Sequence, residues 1–469
     1  MRRRIRSVHF VGIGGVGMSG LAELLHRQGY TVRGSDLKSN ATTARLEKLG
    51  IDVCLGHAQG NLGDAQCVVV SSAIPSDNPE LRKARARNLM VIHRGEMLAE
   101  IMRDKEGIAV GGSHGKTTTT SLIGQILVTA GLDPTTVIGG RVMGDDSTPS
   151  GTRLGQGPFL VAEADESDGS FLRLRPVIAV ITNIDPEHMD HYGDLATLES
   201  AFVDFANGVP FWGLAVLCID HPGVQAILPR LKGRFTRYGF SPEADLVARQ
   251  LRPEAGGIRF SVHQHGRNLG EISLSLPGDH NVLNALAAVA VALELDVPFD
   301  QIARGLAAFG GVERRYQALG VQAGVQVVDD YAHHPAELRA TLAAARSIHP
   351  GRIVSVFQPH RYTRTRDCME AFAQAFGDSD VVIISDIYPA GDSPIPGISG
   401  SVLAEKIAAQ GHPDVRFIAK LEAIDHELPD HLKPGDLVLT LGAGDISNLG
   451  DRILKRLSAR PSASVEADA

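Results

Sequence analysis

Gly107-Ile108-Ala109-Val110-Gly111-Gly112-Ser113-His114-Gly115-Lys116-Thr117-Thr118 decides how this chain is read. Its opening residues form an apolar run of strand type. Ser121 to Val128 follows with apolar residues at helical spacing and predicts a helix with one apolar face. A glycine-rich turn between strand and helix aims backbone N–H groups and the positive helix end at an anion. Lys116 then reaches the β/γ-phosphates of a nucleotide, and the Thr117 hydroxyl offers an oxygen to Mg²⁺. The full motif has another glycine ahead of this turn, at position 110, where Val110 stands. What remains is Gly-x-x-Gly-Lys-Thr, Gly112 to Thr117, whose alternative reading is a plain turn with an exposed lysine. The flanking strand and helix favour use of a nucleoside triphosphate, with Lys116 in a solvent-facing loop.

Upstream, Ser7 to Val11 reads as a strand, Gly12-Ile13-Gly14-Gly15-Val16-Gly17 as a turn and Met18 to Gly29 as a helix. Strands follow at Thr31 to Asp36, Cys67 to Ser72 and Met90 to Ile92, and Arg103 to Glu106 is a candidate linker. The alternation is Rossmann-like. Gly12 to Gly17 fits Gly-x-Gly-x-x-Gly, and Asp36 sits where a ribose-binding acid would, which suits NAD. A nicotinamide enzyme rarely also needs a triphosphate loop, so a nucleotide-diphosphate substrate is the favoured reading, ahead of a dinucleotide or a purely structural turn.

Downstream, buried strands are predicted at Phe159 to Ala162, Val177 to Thr182 and Leu214 to Leu217, and antiparallel strands between Asp245 and Leu276. A helix runs from Asn281 to Leu295, and a boundary falls near Gly310-Gly311-Val312-Glu313. The remainder alternates again, with strands at Val325 to Asp330, Arg352 to Phe357, Val381 to Ile384 and Asp436 to Thr440, and a helix from Pro335 to Ile348. Tyr388 to Gly400 is a Pro/Gly-rich loop over a site, and the small polar tail from Ser458 is expected to be disordered.

Several strand ends carry polar groups. In Glu163-Ala164-Asp165-Glu166-Ser167-Asp168 a carboxylate can complete a Mg²⁺ shell begun by Thr117, although acidic loops are more often simply solvated. In Thr182-Asn183-Ile184-Asp185-Pro186-Glu187-His188, His188 has the options of metal ligand, base or helix-start residue, and spacing alone makes it a local structural histidine. Asp329-Asp330-Tyr331-Ala332-His333-His334 and Gln358-Pro359-His360-Arg361-Tyr362-Thr363-Arg364 offer forked donors for carboxylate or phosphate.

Composition narrows the class. With 54 acidic and 46 basic residues, the 469-residue chain has no excess of positive charge for nucleic acid, and Arg2-Arg3-Arg4 reads as a solvated terminus. Four scattered cysteines, without a CxxC pair, suit reduced thiols. No apolar run reaches membrane-spanning length, so membrane insertion is not expected and a cytoplasmic enzyme is the default.

Taken in order, these segments resemble the Mur ligases of peptidoglycan synthesis. The resemblance rests on Gly12 to Gly20, Gly112 to Thr118, Ala162 to Asp168, His280 to Asn284, Glu313-Arg314-Arg315, Asp329 to Pro335 and Gln358 to Thr365. It implies an α/β protein of three domains. These are a Rossmann-like N-terminal UDP-substrate domain over 1–104, a central P-loop ATPase domain over 105–312 and a Rossmann-like C-terminal amino-acid domain over 313–469, with 458–469 as the tail. It implies ligation of L-alanine to the carboxylate of UDP-N-acetylmuramate, with ATP and Mg²⁺, through an acyl phosphate. Charge neutralisation and positioning would dominate such catalysis.

Carried over residue by residue, Gly112, Ser113, His114, Gly115, Lys116, Thr117 and Thr118 take the triphosphate. Thr117 and Glu163 take one magnesium, and His188 takes a second between the γ-phosphate and the substrate carboxylate. Asn281 and Asn284 lie near adenine, and Arg315 and Asp330 on the nucleotide. Gly14, Gly15 and Gly17 face the UDP diphosphate, and His333, Arg361 and Arg364 belong to the amino-acid and acyl-phosphate pocket. Several family members carry a carbamylated lysine beyond the histidine; here no lysine stands between Lys116 and Lys232, and Glu199 is the candidate substitute. The rival readings are a murein-peptide ligase on the same UDP-sugar, a folylpolyglutamate synthase, an NAD-dependent dehydrogenase and a nucleotide-gated binding module. Oligomeric state, monomer or homodimer, is not readable from these residues.

Overall fold

The computed structural model describes residues 5–143 and 151–459. The Arg2-Arg3-Arg4 terminus and, from residue 460, the expected disordered tail lie outside them; Ser458 itself closes the helix Leu449–Ser458. The chain divides into two compact units, one of Met1–Leu251, Arg259–Leu274 and Asn281–Val312, the other of Arg252–Ile258, Ser275–His280 and Glu313–Ala469.

The first unit opens on a parallel sheet of β1 (Ser7–Val11), β2 (Thr31–Asp36), β3 (Asp52–Leu55), β4 (Cys67–Val70) and β5 (Met90–His93), in the order β3-β2-β1-β4-β5. Strand order reverses between β1 and β4, which opens a crevice at their carboxyl ends. The glycine turn after β1 lies there, ahead of the helix Val16–Arg27.

A second sheet contains β6 (Glu106–Gly111), β7 (Thr135–Val137), β8 (Thr152–Arg153), β9 (Phe159–Glu163), β10 (Ile178–Ile181), β11 (Leu214–Cys218), β12 (Phe235–Gly239), β13 (Leu246–Glu254), β14 (Gly257–Gln264) and β15 (Arg267–Leu274). Its order is β15-β14-β13-β12-β11-β10-β6-β9-β7-β8. β6 runs parallel to both β10 and β9, so the loops leaving these three strands emerge side by side. β14 and β15 are joined by His265-Gly266, both at positive φ, a two-residue turn of the kind that joins antiparallel strands and as the alternating sequence suggested.

The helix after β6, Lys116–Thr129, corrects one expectation. It is buried along nearly its whole first half, Thr117 to Gly124, and again at Ile126 and Leu127, so it has no single apolar face. Its threonines and small residues admit close packing: a Cβ on Gly124 would lie 2.7 Å from Thr136 Cγ2. The core of this unit is continuous, running from Val8 and Phe10 of β1 through Met97, Leu98 and Ile101 to Leu160, Ile181 and Phe202. Each fully buried large side chain of this kind contributes about 1.5–3 kcal/mol.

In the second unit, β16 (Gln317–Gln322), β17 (Val325–Asp330), β18 (Ile353–Phe357), β19 (Val381–Ile384), β20 (Val415–Phe417) and β21 (Leu437–Leu441) take the order β16-β17-β21-β18-β19-β20. β16 is the antiparallel edge, and β21 pairs in parallel with both β17 and β18. Both faces are covered: Ile353, Phe357, Leu437 and Leu439 enter one core, Val354, Val356 and Val438 the other. This is why the strands read as continuous apolar runs. The loop from Tyr388 to Gly400 is largely irregular, as its prolines and glycines suggested.

Candidate active site

The turn after β6 is built on two glycines with positive φ, Gly112 at 126° and Gly115 at 84°. A Cβ on Gly112 would lie 2.1 Å from Thr182 Oγ1, and one on Gly115 2.5 Å from Asn284 Oδ1. No other residue fits these places without moving the neighbours. Gly112→Ala is expected to destabilise the protein by about 2 kcal/mol or more, seen as a lowered thermal midpoint.

The turn is pinned by the loop after β10. Ser113 N–H donates to Asn183 O and His114 N–H to Asn183 Oδ1 at 2.7 Å. Thr182 Oγ1 and Asn183 Nδ2 donate back to His114 O at 2.6 and 3.0 Å. Asp185 N–H donates to Ser113 Oγ at 2.9 Å. Thr119 Oγ1 donates to Asn284 Oδ1 at 3.2 Å, and Asn284 Nδ2 to Asn281 Oδ1 at 3.2 Å, so the two buried asparagines brace the turn from the helix Asp279–Glu294.

Lys116 is not solvent-facing. Its Nζ donates to Ser113 O at 3.1 Å and to Gly112 O, and lies 2.9 Å from both carboxylate oxygens of Glu166, itself 2% exposed. Burial opposes the ammonium charge, but Glu166 and Asp165 outweigh it and raise the lysine pKa. Burial also pushes the Glu166 carboxyl up, to about 7, against the pull of Lys116. Tyr192 holds the same residue by donating its hydroxyl to Glu166 O at 2.5 Å.

The acidic loop is therefore not merely solvated; each acid has its own partner. Glu163 Oε1 accepts from Gly139 N–H at 2.6 Å. Asp165 meets Arg94 at 2.9 Å, Glu166 meets Lys116, and Asp168 lies 3.4 Å from His93 Nε2. Phe171, packed on Phe202 and Phe205 at ring separations of 5.3 and 5.2 Å, anchors the loop in the core.

His188 adopts left-handed backbone geometry, φ 56°, and places Nε2 3.7 Å from Glu166 Oε1 and 3.8 Å from Glu187 Oε2. Glu199 sits on the helix Leu195–Asn207, and among the described residues no ion pair joins it to His188. A cluster missed in the sequence lies alongside. His221 Nδ1 accepts from Ile184 and Gly223 N–H, so its proton is on Nε2, which faces Asp185 Oδ1 at 3.4 Å. His114 Nε2 faces the other oxygen of Asp185 at 3.3 Å and Glu187 at 3.2 Å. Burial works against the Asp185 charge, yet the two histidines outweigh it and hold the carboxyl far below its usual range.

Thr117 and Glu163 converge on one strip of backbone. A Cβ on Gly139 would lie 3.2 Å from Glu163 Oε2, and one on Gly140 3.3 Å from Thr117 Cγ2. A hydroxyl and a carboxylate are oxygen donors of the kind that suits a hard divalent cation.

At the first sheet's crevice, Gly14 N–H donates to Asp36 Oδ2 at 2.8 Å. Asp36 thus braces the glycine turn itself. A Cβ on Gly14 would lie 2.8 Å from Asp36 Oδ2 and one on Gly17 2.8 Å from Arg94 Nη1, whereas Gly15 meets nothing closer than 3.4 Å.

In the second unit, polar groups gather where β17 and β18 end. Asp330 accepts from Tyr316 and Ala332 N–H at 2.7 and 2.8 Å, and burial raises its carboxyl to about 6 despite Arg315. Arg315 lies 3.8 Å from Glu337 and over the Tyr331 ring. His333 faces Glu337 at 3.1 Å and packs edge-on against His360. Arg364 donates to His360 Nδ1 at 3.2 Å, and His360 stacks on Tyr388. Burial, with His333 and Arg364, pushes His360 down to about 3, so it is a neutral spacer among cations. Arg361 heads the helix Tyr362–Asp367 at φ 68°. His360 and Tyr388 lacked an assigned role in the sequence; the pairing of Arg361 N–H with Tyr388 O joins their loops.

Comparison with known proteins follows this geometry. The Mur ligase family catalytic-domain model matches residues 7–106, the Mur ligase middle-domain model residues 110–292, and the Mur ligase glutamate ligase domain model residues 314–444. The chain is 53% identical to UDP-N-acetylmuramate–L-alanine ligase of Geobacter sulfurreducens, covering 97% of this chain and 99% of that one. It is 52% identical to the protein of that name from Sorangium cellulosum, covering 98% of each. Among solved structures, UDP-N-acetylmuramate-alanine ligase of Thermotoga maritima superposes with a TM-score of 0.82 at 30% identity, over 96% of this chain and 98% of that one. A murein peptide ligase of Psychrobacter arcticus shares the fold, with a TM-score of 0.71 at 23% identity over 97% and 99% of the two chains.

Proposed function

The chain belongs to the Mur ligase family, a three-domain α/β architecture, and from that premise we propose that it joins L-alanine to the carboxylate of UDP-N-acetylmuramate at the expense of ATP. The observation that carries this reading is the 53% identity, over 97% of the chain, to a ligase of that name. The convergence of the loops after β6, β9 and β10 supports it. We place the domain limits at 104/105 and 312/313, between the first and second sheets and at the start of the second unit's main segment. Among the described residues no helix is long and apolar enough to cross a membrane, and a cytoplasmic setting accords with the reading.

Each cluster has a task in this reaction. The turn from Gly112 to Thr118, whose Ser113 and His114 N–H groups are held by Asn183, presents the N-terminus of the helix it opens to the triphosphate, and Lys116 neutralises the charge that gathers on its β/γ-oxygens. Thr117, Glu163 and His188 would hold Mg²⁺, which when bound supplies Lewis-acid neutralisation of phosphate and carboxylate oxygens. Asn281, Asn284, Arg315 and Asp330 position the nucleotide. His333, Arg361 and Arg364 orient the carboxylate of the incoming alanine and the acyl phosphate, with neutral His360 bonded to Arg364. Gly14, Gly15 and Gly17 allow the UDP diphosphate to approach the turn and the helix it opens, while Asp36 holds the turn through Gly14 N–H. The work is alignment of two anions and an amine, not covalent chemistry by side chains.

An ADP-release screen with UDP-N-acetylmuramate across amino acids and murein peptides tests the assignment. L-Alanine should be the preferred acceptor; turnover with a murein peptide alone, or hydride transfer with NAD, would overturn it. Gly15→Val gives a local test, because a Cβ on Gly15 meets nothing closer than 3.4 Å and the backbone there has an ordinary negative φ. The variant should fold and bind ATP nearly as the wild type does, but bind UDP-N-acetylmuramate at least about tenfold more weakly in calorimetry, since the diphosphate loses its close backbone approach.

A further inference from the structure

Arg94 was not among the residues expected to act. It opens the helix Arg94–Met102, whose first turn is fixed by His93 N–H donating to Glu96 Oε2 at 2.7 Å. Its guanidinium lies over the first turn of the helix Val16–Arg27: a Cβ on Gly17 would lie 2.8 Å from Nη1 and 3.0 Å from Cδ. The other terminal nitrogen, Nη2, donates to Asp165 Oδ2 at 2.9 Å. Both side chains are partly exposed, at 25% and 39%. Around this pair the same two segments meet twice more, through His93 with Asp168 at 3.4 Å and through Glu96 with Arg173. A Cβ on Gly95 would lie 2.5 Å from Ser170 Oγ, so the segments are in close contact. Asp165 is followed directly by Glu166, the partner of Lys116.

We propose that Arg94 is a ligand shared by the diphosphate of the sugar nucleotide and Asp165, and that it couples sugar-nucleotide binding to the triphosphate loop. The proposal rests on the reading that Gly12 to Gly17 receive that diphosphate. A guanidinium carries five N–H donors in a rigid fork, so it serves a carboxylate on one edge and a phosphate oxygen on another. An anion on the Nη1 edge fixes the plane of the guanidinium. That fixes Asp165 on the Nη2 edge, and with it the loop that presents Glu166 to Lys116. The ordering of this loop is then shared between the two ligands, so each tightens the other.

Calorimetry with UDP-N-acetylmuramate and a non-hydrolysable ATP analogue, each alone and in the presence of the other, tests the proposal. In the wild type each ligand should tighten the other by about tenfold. Arg94→Ala should weaken UDP-N-acetylmuramate by about ten- to a hundredfold, leave the analogue alone unchanged, and bring the mutual effect to about onefold. Asp165→Asn should keep most of the sugar-nucleotide affinity and lose the mutual effect. Arg94→Lys, which keeps the charge and loses the fork, should bind with intermediate affinity and without mutual effect; it decides the matter if Arg94→Ala does not fold. Wild-type affinities and mutual effect in Arg94→Lys and Asp165→Asn would reduce Arg94 to a structural clasp and overturn the proposal. A wild-type protein that binds ATP but no UDP-N-acetylmuramate would overturn the underlying reading and the proposal together, whereas weak binding confined to Gly15→Val would leave the reading standing.

Discussion

Lys116→Ala is expected to lower turnover on the order of 10³-fold, the scale on which a buried cation stabilises charge developing on oxygen. The same change has a second effect that a solvent-facing lysine would not have. It leaves Glu166 buried without its cation, a situation that costs about 3–5 kcal/mol while the carboxylate stays charged. The carboxyl escapes by taking a proton. Its pKa, already raised by burial from 4.5 to about 7, then rises further. A carboxyl whose pKa is higher folded than unfolded favours the folded state fully at low pH. That contribution is lost as pH rises from the unfolded value through the folded one. Lys116→Ala should therefore go on losing thermal stability above about pH 7, where the contribution of this carboxyl in the wild type has levelled off. Adding Glu166→Gln to Lys116→Ala should restore the midpoint and leave turnover low. ADP release near the wild-type rate in Lys116→Ala would sink the assignment of the loop.

His188→Ala should raise the barrier to acyl-phosphate formation by several kcal/mol while ATP binding changes little. Two anions must meet in that step, and on the proposed reading His188, whose imidazole lies beside Glu166 and Glu187, would hold the cation that screens them. Because His188 has φ 56°, alanine there adds backbone strain of about 1–2 kcal/mol, and His188→Asn, which tolerates this geometry, is the better-behaved control. Single-turnover kinetics at saturating ATP, sugar nucleotide and alanine isolate the step. A wild-type rate of acyl-phosphate formation in both variants would return His188 to the role of a helix-start residue.

Local chemistry was legible in the chain, and pairings across it were not. The runs Ile108 to Val110 and Val325 to Val328 announce strands buried on both faces, and Gly112 and Gly115 announce a turn that only glycine can make. The residues after β9 and β10 were singled out for standing at strand ends. Their partners could not be, because Lys116 with Glu166, Arg94 with Asp165 and Asp185 with His221 lie 50, 71 and 36 positions apart, and no period in the chain records which loops a sheet sets side by side. The misread helix after Gly115 has a similar cause. Its threonines look like a polar face, yet Thr119 and Thr120 are fully buried, Thr119 with its hydroxyl on Asn284. The signal that was available for Arg94 is its place directly after β5, at the same end of the sheet as the glycine turn.

The position of β21 has a consequence for how the protein is made. Among the described residues it is the last strand in sequence, and it lies between β17 and β18, hydrogen-bonded to both. Until residues 437–441 have left the ribosome, a nascent chain holds β17 and β18 as two open parallel edges with apolar faces. Such edges template unwanted pairing with other chains. The second unit's sheet can therefore close only once residues 437–441 have been made, whereas the first sheet, whose strands all lie between residues 7 and 93, can close while the residues after them are still being translated. A message truncated before residue 437 is expected to yield chains with a folded beginning and an aggregation-prone end.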